Sequence, residues 1–197
     1  MVDGPLGMIV LAAGRSRRFG DDDKRTARLS DGRFVLEATL DNLVPAVDET
    51  LVVVRADDDE LSALLKARDD VSLVICTDSD LGVGHSLAAG ATEALNQCWR
   101  AAFVMLADMP FVQSATLKAM INAHDNAPLD SVILQPEYDS HPGHPVLFDQ
   151  RYFEALTALT GDEGARSVVA QNRSQLRRLR VSDAGILADI DQPSDLR

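Results

Sequence analysis

The sequence predicts an α/β fold, with a mostly parallel sheet sandwiched as α/β/α in three layers. Three observations lead there. Strand-length apolar runs recur along the chain, each followed by a stretch of helical spacing, and five such alternations occur in succession. The chain has 197 residues, 46% of them hydrophobic and 25% charged, which suits one compact globular domain. No linker, internal repeat or low-complexity stretch divides it. The expectation is therefore one domain over residues 1–197, with a ligand-binding part over about 1–135 and a second side over about 136–197.

Residues 7–12 (GMIVLA) form a near-continuous apolar strand of the kind covered on both faces. Over 34–43, Val35, Leu36, Thr39, Leu40 and Leu43 keep helical spacing, and Pro45 marks the end. A strand is expected at 51–54, then a helix opening on the acidic run 57–60 at the positive end of its dipole, with Leu61, Leu64 and Leu65 as its apolar stripe. Strand 71–76, helix 85–96, strand 101–107, helix 113–124 and strand 131–134 continue the alternation. After His141 the pattern changes: a loop at 142–145, a short strand at 146–148, and helices over 151–159 and 164–171. An exposed strand over 175–181 then carries Arg177, Arg178 and Arg180.

The 31 acidic against 19 basic residues leave a formal charge of −12, which argues against nucleic acid and anionic membranes as partners. No apolar run approaches the ~20 residues of a membrane span, and the start of the chain lacks a signal-like pattern, so a cytoplasmic protein is expected. Cys76 and Cys98 are too few and too far apart for a disulfide framework or a metal cluster, and both are expected as buried, inert thiols. The charge is uneven. Residues 15–28 hold six basic and three acidic side chains, a local positive excess that suits a small polyphosphate ligand better than a polymer.

That window overlaps Leu11-Ala12-Ala13-Gly14-Arg15-Ser16-Arg17-Arg18-Phe19-Gly20, directly after the first strand. Ligands bind at the carboxyl ends of strands in open parallel sheets. A glycine-containing loop there offers backbone N–H groups to phosphate oxygens, and arginine and lysine add charge. The loop is not a P-loop, because Asp21 follows Gly20 where Lys-Ser/Thr is required. The 82–87 segment is not a dinucleotide fingerprint either, because Leu87 replaces its third glycine.

Leu-Ala-Ala-Gly-x-Ser-x-Arg-x-Gly followed by Lys24 resembles the signature loop of the molybdenum cofactor nucleotidyltransferases and related cytidylyltransferases. The likeness continues in order through Leu81-Gly82-Val83-Gly84-His85-Ser86-Leu87, Leu106-Ala107-Asp108-Met109-Pro110, Gly143-His144-Pro145-Val146, 161–166 and the 189–196 tail. The resemblance implies a nucleotide-diphospho-sugar transferase-like, Rossmann-like fold. It also implies transfer of CMP from CTP to the phosphate of molybdenum-bound molybdopterin, with release of pyrophosphate. By the same resemblance, Leu11, Ala12, Ala13, Gly14, Ser16, Arg18, Lys24, Gly84 and Ser86 bind the nucleotide, and Gly143, His144 and Pro145 face the acceptor. Asp108 and Asp191 hold the metal, with Asp189 as the rival of Asp191. A molybdoenzyme receiving the product is a further implied partner. Ala13 favours cytidine, since the guanylyl branch tends to carry a second glycine there.

The chemistry of these residues agrees with that picture. A carboxylate closing the fourth strand suits Mg²⁺, or Mn²⁺ in its place, bound together with substrate phosphates. A phosphate nucleophile is already ionised at neutral pH, so no general base is required, and Arg18, Lys24 and the metal on Asp108 would align and neutralise charge. His141 and His144 are therefore expected to position or pack, and Ser86 to cap a helix. Two positions depart from the family pattern: the run 21–23 puts Lys24 one residue beyond the usual spacing, and Gln192 replaces a usual threonine. Alternatives remain open at this point: a guanylyl or sugar-phosphate nucleotidyltransferase, a non-catalytic cofactor carrier, and a hydrolase using Ser86 with Asp108 and His124 or His144.

Overall fold

The computed structural model describes residues 4–16, 19, 23–127 and 132–196. Its core is four parallel strands, β1 (Leu6–Leu11), β2 (Glu49–Arg55), β3 (Ser72–Cys76) and β4 (Ala101–Leu106), in the order β3-β2-β1-β4. Helix α1 (Val35–Leu43) returns the chain from β1 to β2, and α2 (Asp59–Lys66) from β2 to β3. Helix α3 (Val83–Asn96) then carries it back past β1 to β4. The direction of winding reverses between β1 and β4, so a crevice opens where their carboxyl ends diverge.

The side chains of β1 show how the sheet is covered on both faces. Met8 and Val10 pack with Leu36, Leu40, Leu61, Leu65, Leu117 and Met120, from α1, α2 and α4 (Ser114–Asp125). Ile9 points the other way, to Leu87, Ala91 and Ala94 of α3 and to Phe153 and Leu156 of α5 (Phe153–Thr157). Met8, Ile9 and Val10 are each 0% exposed, and burying such side chains contributes roughly 1.5–3 kcal/mol apiece. This period-two alternation, with apolar partners on both faces, makes three layers from one short strand.

The second half of the sheet is mixed. β5 (Ile133–Tyr138) turns through Asp139 and Ser140, both at positive φ, into β6 (His141–Pro142), a two-residue hairpin of the tightly twisted kind. β7 (Val146–Asp149) runs antiparallel between β4 and β5, and β8 (Leu176–Arg180) lies parallel to β5. The strand expected at 131–134 thus extends to Tyr138. Pro136, which lacks an N–H and reads as a strand breaker, lies where the neighbour of β5 changes from β7 to β6, and its carbonyl accepts from Gly143 N–H at 2.9 Å.

Helix α3 begins at Val83, two residues earlier than expected, with Gly82 in the cap position at φ +122°. Ser86 therefore lies within the first turn, buried at 3% exposure, and is not the N-cap. The helix expected over 151–159 shortens to a 3₁₀ turn at Gln150–Tyr152 plus α5, and α6 is confined to Arg166–Gln171. Cys76 is buried, but Cys98 is exposed in the turn after α3 and does not join the core as expected. Among the described residues no helix is long and apolar enough to cross a membrane.

Candidate active site

A cleft of about 350 Å³ opens at the β1/β4 divergence, within the size range of small-ligand sites. Leu11, Ala12, Ala13 and Gly14 form one wall, and Leu106, Ala107 and Asp108 the floor. Ser79, Asp80, Gly82, Val83 and Ser86 form the opposite wall, with Asp162 at the rim. The start of α3 faces this space, so the positive end of its dipole adds to the loop's charge.

Close backbone approach shapes that wall. Gly84 N–H donates to Gly161 O at 2.7 Å, and a Cβ on Gly84 would meet Thr160 O at 2.6 Å. A Cβ on Gly82 would meet Gly161 O at 2.3 Å. Both glycines let the 160–162 loop lie against α3, which brings Asp162 to the rim. Gly84 itself does not line the cleft; its role is to admit the neighbouring loop.

The loop after β1 is stapled by its own side chains. Asp23 accepts from Arg25 N–H at 2.9 Å, a turn built on an aspartate, and from Ser16 Oγ at 3.2 Å. Lys24 N–H in turn donates to Ser16 Oγ at 3.3 Å. Ser16 thus serves the loop's geometry and does not line the cleft. Asp23 also explains the extra residue before Lys24, because it caps the turn that presents that lysine. Burial pushes the Asp23 carboxyl up, but its bonds and charge pairing with Arg25 more than offset this, and its pKa falls below the usual value.

Lys24 and Arg25, adjacent in sequence, take different jobs. Arg25 is 2% exposed, pairs with Asp23 and with Asp58 (2.5 Å), and donates to Ala12 O. It anchors the loop to β1 and to the start of α2. Lys24 reaches across the cleft floor, where its Nζ contacts Asp108 and lies 3.4 Å from Asp191 Oδ1. Arg15 lines the cleft mouth but is held by Asp80 (2.5 Å) and Asp57 (3.2 Å), and Arg28 turns to Gly32 O and the Phe34 ring. Among the described cations of residues 15–28, Arg15, Lys24 and Arg25 pair with carboxylates. Arg18, expected to bind phosphate, lies outside the described residues.

Asp108 follows β4 and is 8% exposed; its Oδ1 is buried without a hydrogen-bond partner. Ile190 N–H donates to Asp108 O at 2.9 Å, while the Ile190 side chain packs with Phe19, Leu29, Val35 and Ala38. Its neighbours Asp189 and Asp191 thereby come to the Asp108 side. Carboxylate oxygens of Asp108, Asp189 and Asp191 all lie within 4.8 Å of one another. Asp195 fixes the Asp191 end by accepting from the N–H groups of Asp191 (3.0 Å) and Gln192 (2.8 Å). Three hard oxygen donors, one of them orphaned in a buried position, fit a divalent cation of the Mg²⁺ or Mn²⁺ type.

Gly143, His144 and Pro145 do not line the cleft; they form the β6–β7 connection. His144 N–H donates to Ile186 O at 3.0 Å, and a Cβ on Gly143 would meet that same carbonyl at 2.3 Å. Burial depresses the His144 pKa; a hydrogen bond to the Val104 backbone and the charges of Asp108 and Asp189 pull it partly back. The imidazole is therefore neutral at pH 7, and its Nδ1 is buried without a partner. The hydrolase reading has no geometry behind it. Ser86 is inside α3 rather than on a strand-to-helix turn, and His124 pairs with Asp125 and Asp149 at the far end of the sheet.

The MobA-like NTP transferase domain matches this chain over residues 8–178. The chain belongs to that family. A probable molybdenum cofactor guanylyltransferase of Methanosarcina acetivorans is 35% identical over 126 residues, 60% of this chain and 54% of that protein. The match thus spans about half the length of that relative. The purine catabolism protein PucB of Bacillus subtilis is 28% identical over 201 residues, covering 95% of this chain and 92% of its own. The crystal structure of Rv0371c from Mycobacterium tuberculosis H37Rv superposes with a TM-score of 0.76 at 28% identity, covering 99% of this chain and 96% of that one. Rv0371c has also been solved with manganese. The expected Rossmann-like nucleotidyltransferase fold is thereby established.

Of the residues expected at the site, the structure brings Leu11, Ala12, Ala13, Gly14, Lys24, Ser86 and Asp108 to one cleft. The sequence reading did not place Arg15, Ser79, Asp80 or Asp162 there. Asp162 stood in the 161–166 segment already read as a motif, and Asp80 one residue before another. No local signal marks either as a cleft residue, because loop–loop approach puts them there.

Proposed function

We propose that this member of the MobA-like NTP transferase family moves CMP from CTP to a phosphate of an acceptor, molybdenum-bound molybdopterin, releasing pyrophosphate. An acceptor phosphate oxygen attacks the α-phosphorus, and the bond from that phosphorus to the bridging oxygen breaks, so the electron pair leaves with pyrophosphate. One observation carries the reading: Lys24 from the β1 loop meets Asp108 in a cleft at the sheet's switch point, with Asp189 and Asp191 of the tail converging on Asp108 beside it.

Each residue has a task in that transfer. The Ala13–Gly14 backbone approaches the triphosphate closely, since a Cβ on Gly14 would meet nothing within 4 Å and the loop side of the cleft is open. Lys24, together with Arg18, neutralises charge that builds on the leaving pyrophosphate. Asp108 and Asp191, with Asp189 beside them, would hold Mg²⁺, or Mn²⁺ in its place, which supplies Lewis-acid polarisation of the phosphate oxygens. The manganese complex of Rv0371c supports a divalent cation in this fold. Neutral His144 positions the acceptor, with Gly143 and Pro145 setting its loop, so residues 136–197 would form the acceptor side. No proton acceptor is needed, because the attacking phosphate is ionised.

Ala13 supports the choice of CTP. Its methyl lines the cleft wall and is 7% exposed, so it narrows the space beside the loop in favour of the smaller base. The name of the Methanosarcina relative points instead to guanylyl transfer. Pyrophosphate release with CTP and with GTP, each with and without molybdenum cofactor, separates these readings. Release that needs both CTP and the cofactor is expected. Release with GTP in place of CTP overturns the base assignment, and tight cofactor binding without release from either nucleotide would identify a carrier.

A further inference from the structure

Among the described residues, Lys24 is the cation that meets the carboxylate cluster. Three carboxylates converge within 4.8 Å, and Lys24 contacts two of them, Asp108 and Asp191. The lysine side chain is 17% exposed and the Asp108 side chain 11%, so solvent screens the pair only weakly. The Lys24 ammonium leaves Asp108 Oδ1 buried without a partner. Such an orphaned oxygen costs free energy until a cation or donor meets it. Lys24 also lines the same cleft as Gly14, and its flexible four-carbon stem gives the ammonium room to move between floor and wall.

We propose that Lys24 is an exchangeable counter-cation of this site. It holds the carboxylates together before a divalent cation binds, then yields them to that cation and turns toward the triphosphate. Lys24 and the divalent cation thus compete for the same oxygens, and metal binding becomes coupled to polyphosphate binding through one side chain. The exchange rests on the nucleotidyl-transfer reading only for the identity of the polyphosphate. Arg25 cannot substitute for Lys24, because it is buried against Asp23 and Asp58.

The test measures binding, not turnover. Mn²⁺ titrated into the metal-free full chain, followed by electron paramagnetic resonance, should bind Lys24→Met on the order of tenfold more tightly than wild type, because a competing charge is gone. Lys24→Arg, which retains the charge, should bind Mn²⁺ no more tightly than wild type. This second variant keeps the test valid should Lys24→Met fold poorly without metal. Inorganic tripolyphosphate should bind Lys24→Met several-fold more weakly, opposite in sign to the metal effect. Reductive methylation read by mass spectrometry should label Lys24 faster once Mg²⁺ is added, and tripolyphosphate should reverse that gain. Equal or weaker Mn²⁺ binding by Lys24→Met, or Lys24 labelling indifferent to Mg²⁺, would overturn the exchange. If the opposite-signed shifts appear but neither CTP nor GTP turns over, the exchange stands and the transfer reading fails.

Discussion

The two ends of β4 carry charged clusters of opposite character. At its start, Arg100 pairs with Asp125 at 2.6 Å, and His124 lies 3.5 Å from Asp149, which Arg151 also meets at 3.1 Å. Carboxylates and cations there match, and each group is satisfied by its neighbours. At its end, Lys24 meets Asp108 and Asp191 but not the adjacent Asp189, and Asp108 Oδ1 is buried without a partner. A balanced network stabilises the fold. An unbalanced one, in which three carboxylates converge at one lysine among the described residues and which Ile190 and the loop staple at Ser16 keep half-buried, is held ready for a cation.

This contrast breaks most readily at the unbalanced end. Asp108→Asn removes an oxygen donor and its charge, and pyrophosphate release should fall on the order of 100- to 1,000-fold while the fold survives. Thermal unfolding of the metal-free variant should be unchanged or shifted upward, because like charge has been relieved. A drop in melting temperature with activity retained would show that Asp108 is structural.

Asp149→Ala should do the reverse, lowering stability by roughly 1–3 kcal/mol in denaturant titrations and leaving turnover intact, since it unseats His124 and Arg151 together. Its pH signature follows from the same contacts. Burial raises the Asp149 pKa, but the hydrogen bond from His124 and the bonds from Arg151 pull it down to about 2, below the usual carboxylate value. A depressed folded-state pKa stabilises above the unfolded value, so this contribution, on the order of 2 kcal/mol, is present above about pH 4 and is lost as pH falls toward 2. In acid titrations the Asp149→Ala variant should therefore lose less stability over that window than wild type.

Gly84→Ala sharpens the comparison from the packing side. Its Cβ would press on Thr160 O at 2.6 Å, so the 160–162 loop must shift. A cost of about 1–3 kcal/mol and a weaker nucleotide affinity are expected by calorimetry, and affinity unchanged would detach that loop from the cleft. The smallest effect belongs to Arg15→Ala. Its bridges to Asp57 and Asp80 are solvent-exposed and screened, so the unfolding midpoint should not move in 0.5 M salt, and any loss should appear only in nucleotide binding at low salt.

Local features of the chain carried much of this. The apolar run of β1, the glycine loop behind it and the Asp-Met-Pro turn after β4 are legible because strand length, backbone freedom and chain direction act over a few residues. From them came the fold class, the place of the cleft on the sheet and Asp108. The exposure of Cys98 and the start of α3 at Val83 were misjudged because burial and a glycine cap at positive φ depend on what lies nearby.

The division of labour between Lys24 and Arg25 could not be read from their order, since both are cations on one short turn. Tertiary packing separated them by giving Arg25 the half-buried Asp23 and the buried Asp58, and Lys24 the carboxylates on the far side of the cleft. The choice between Asp189 and Asp191 dissolved in the same way, because both reach the site once Ile190 is anchored in the core. Within the basic window, Arg15 and Arg25 likewise became paired charges, with Asp57, Asp58 and Asp80 supplied by the loops after β2 and β3. Sequence alone determined the four parallel strands and which loop stands at the sheet's carboxyl edge, since those follow from short-range sterics and hydrophobic pattern. Which charges meet across 84 or 167 residues of chain, and which oxygen is left waiting, only the folded structure decided, because an ion pair depends on distance in space and not along the chain.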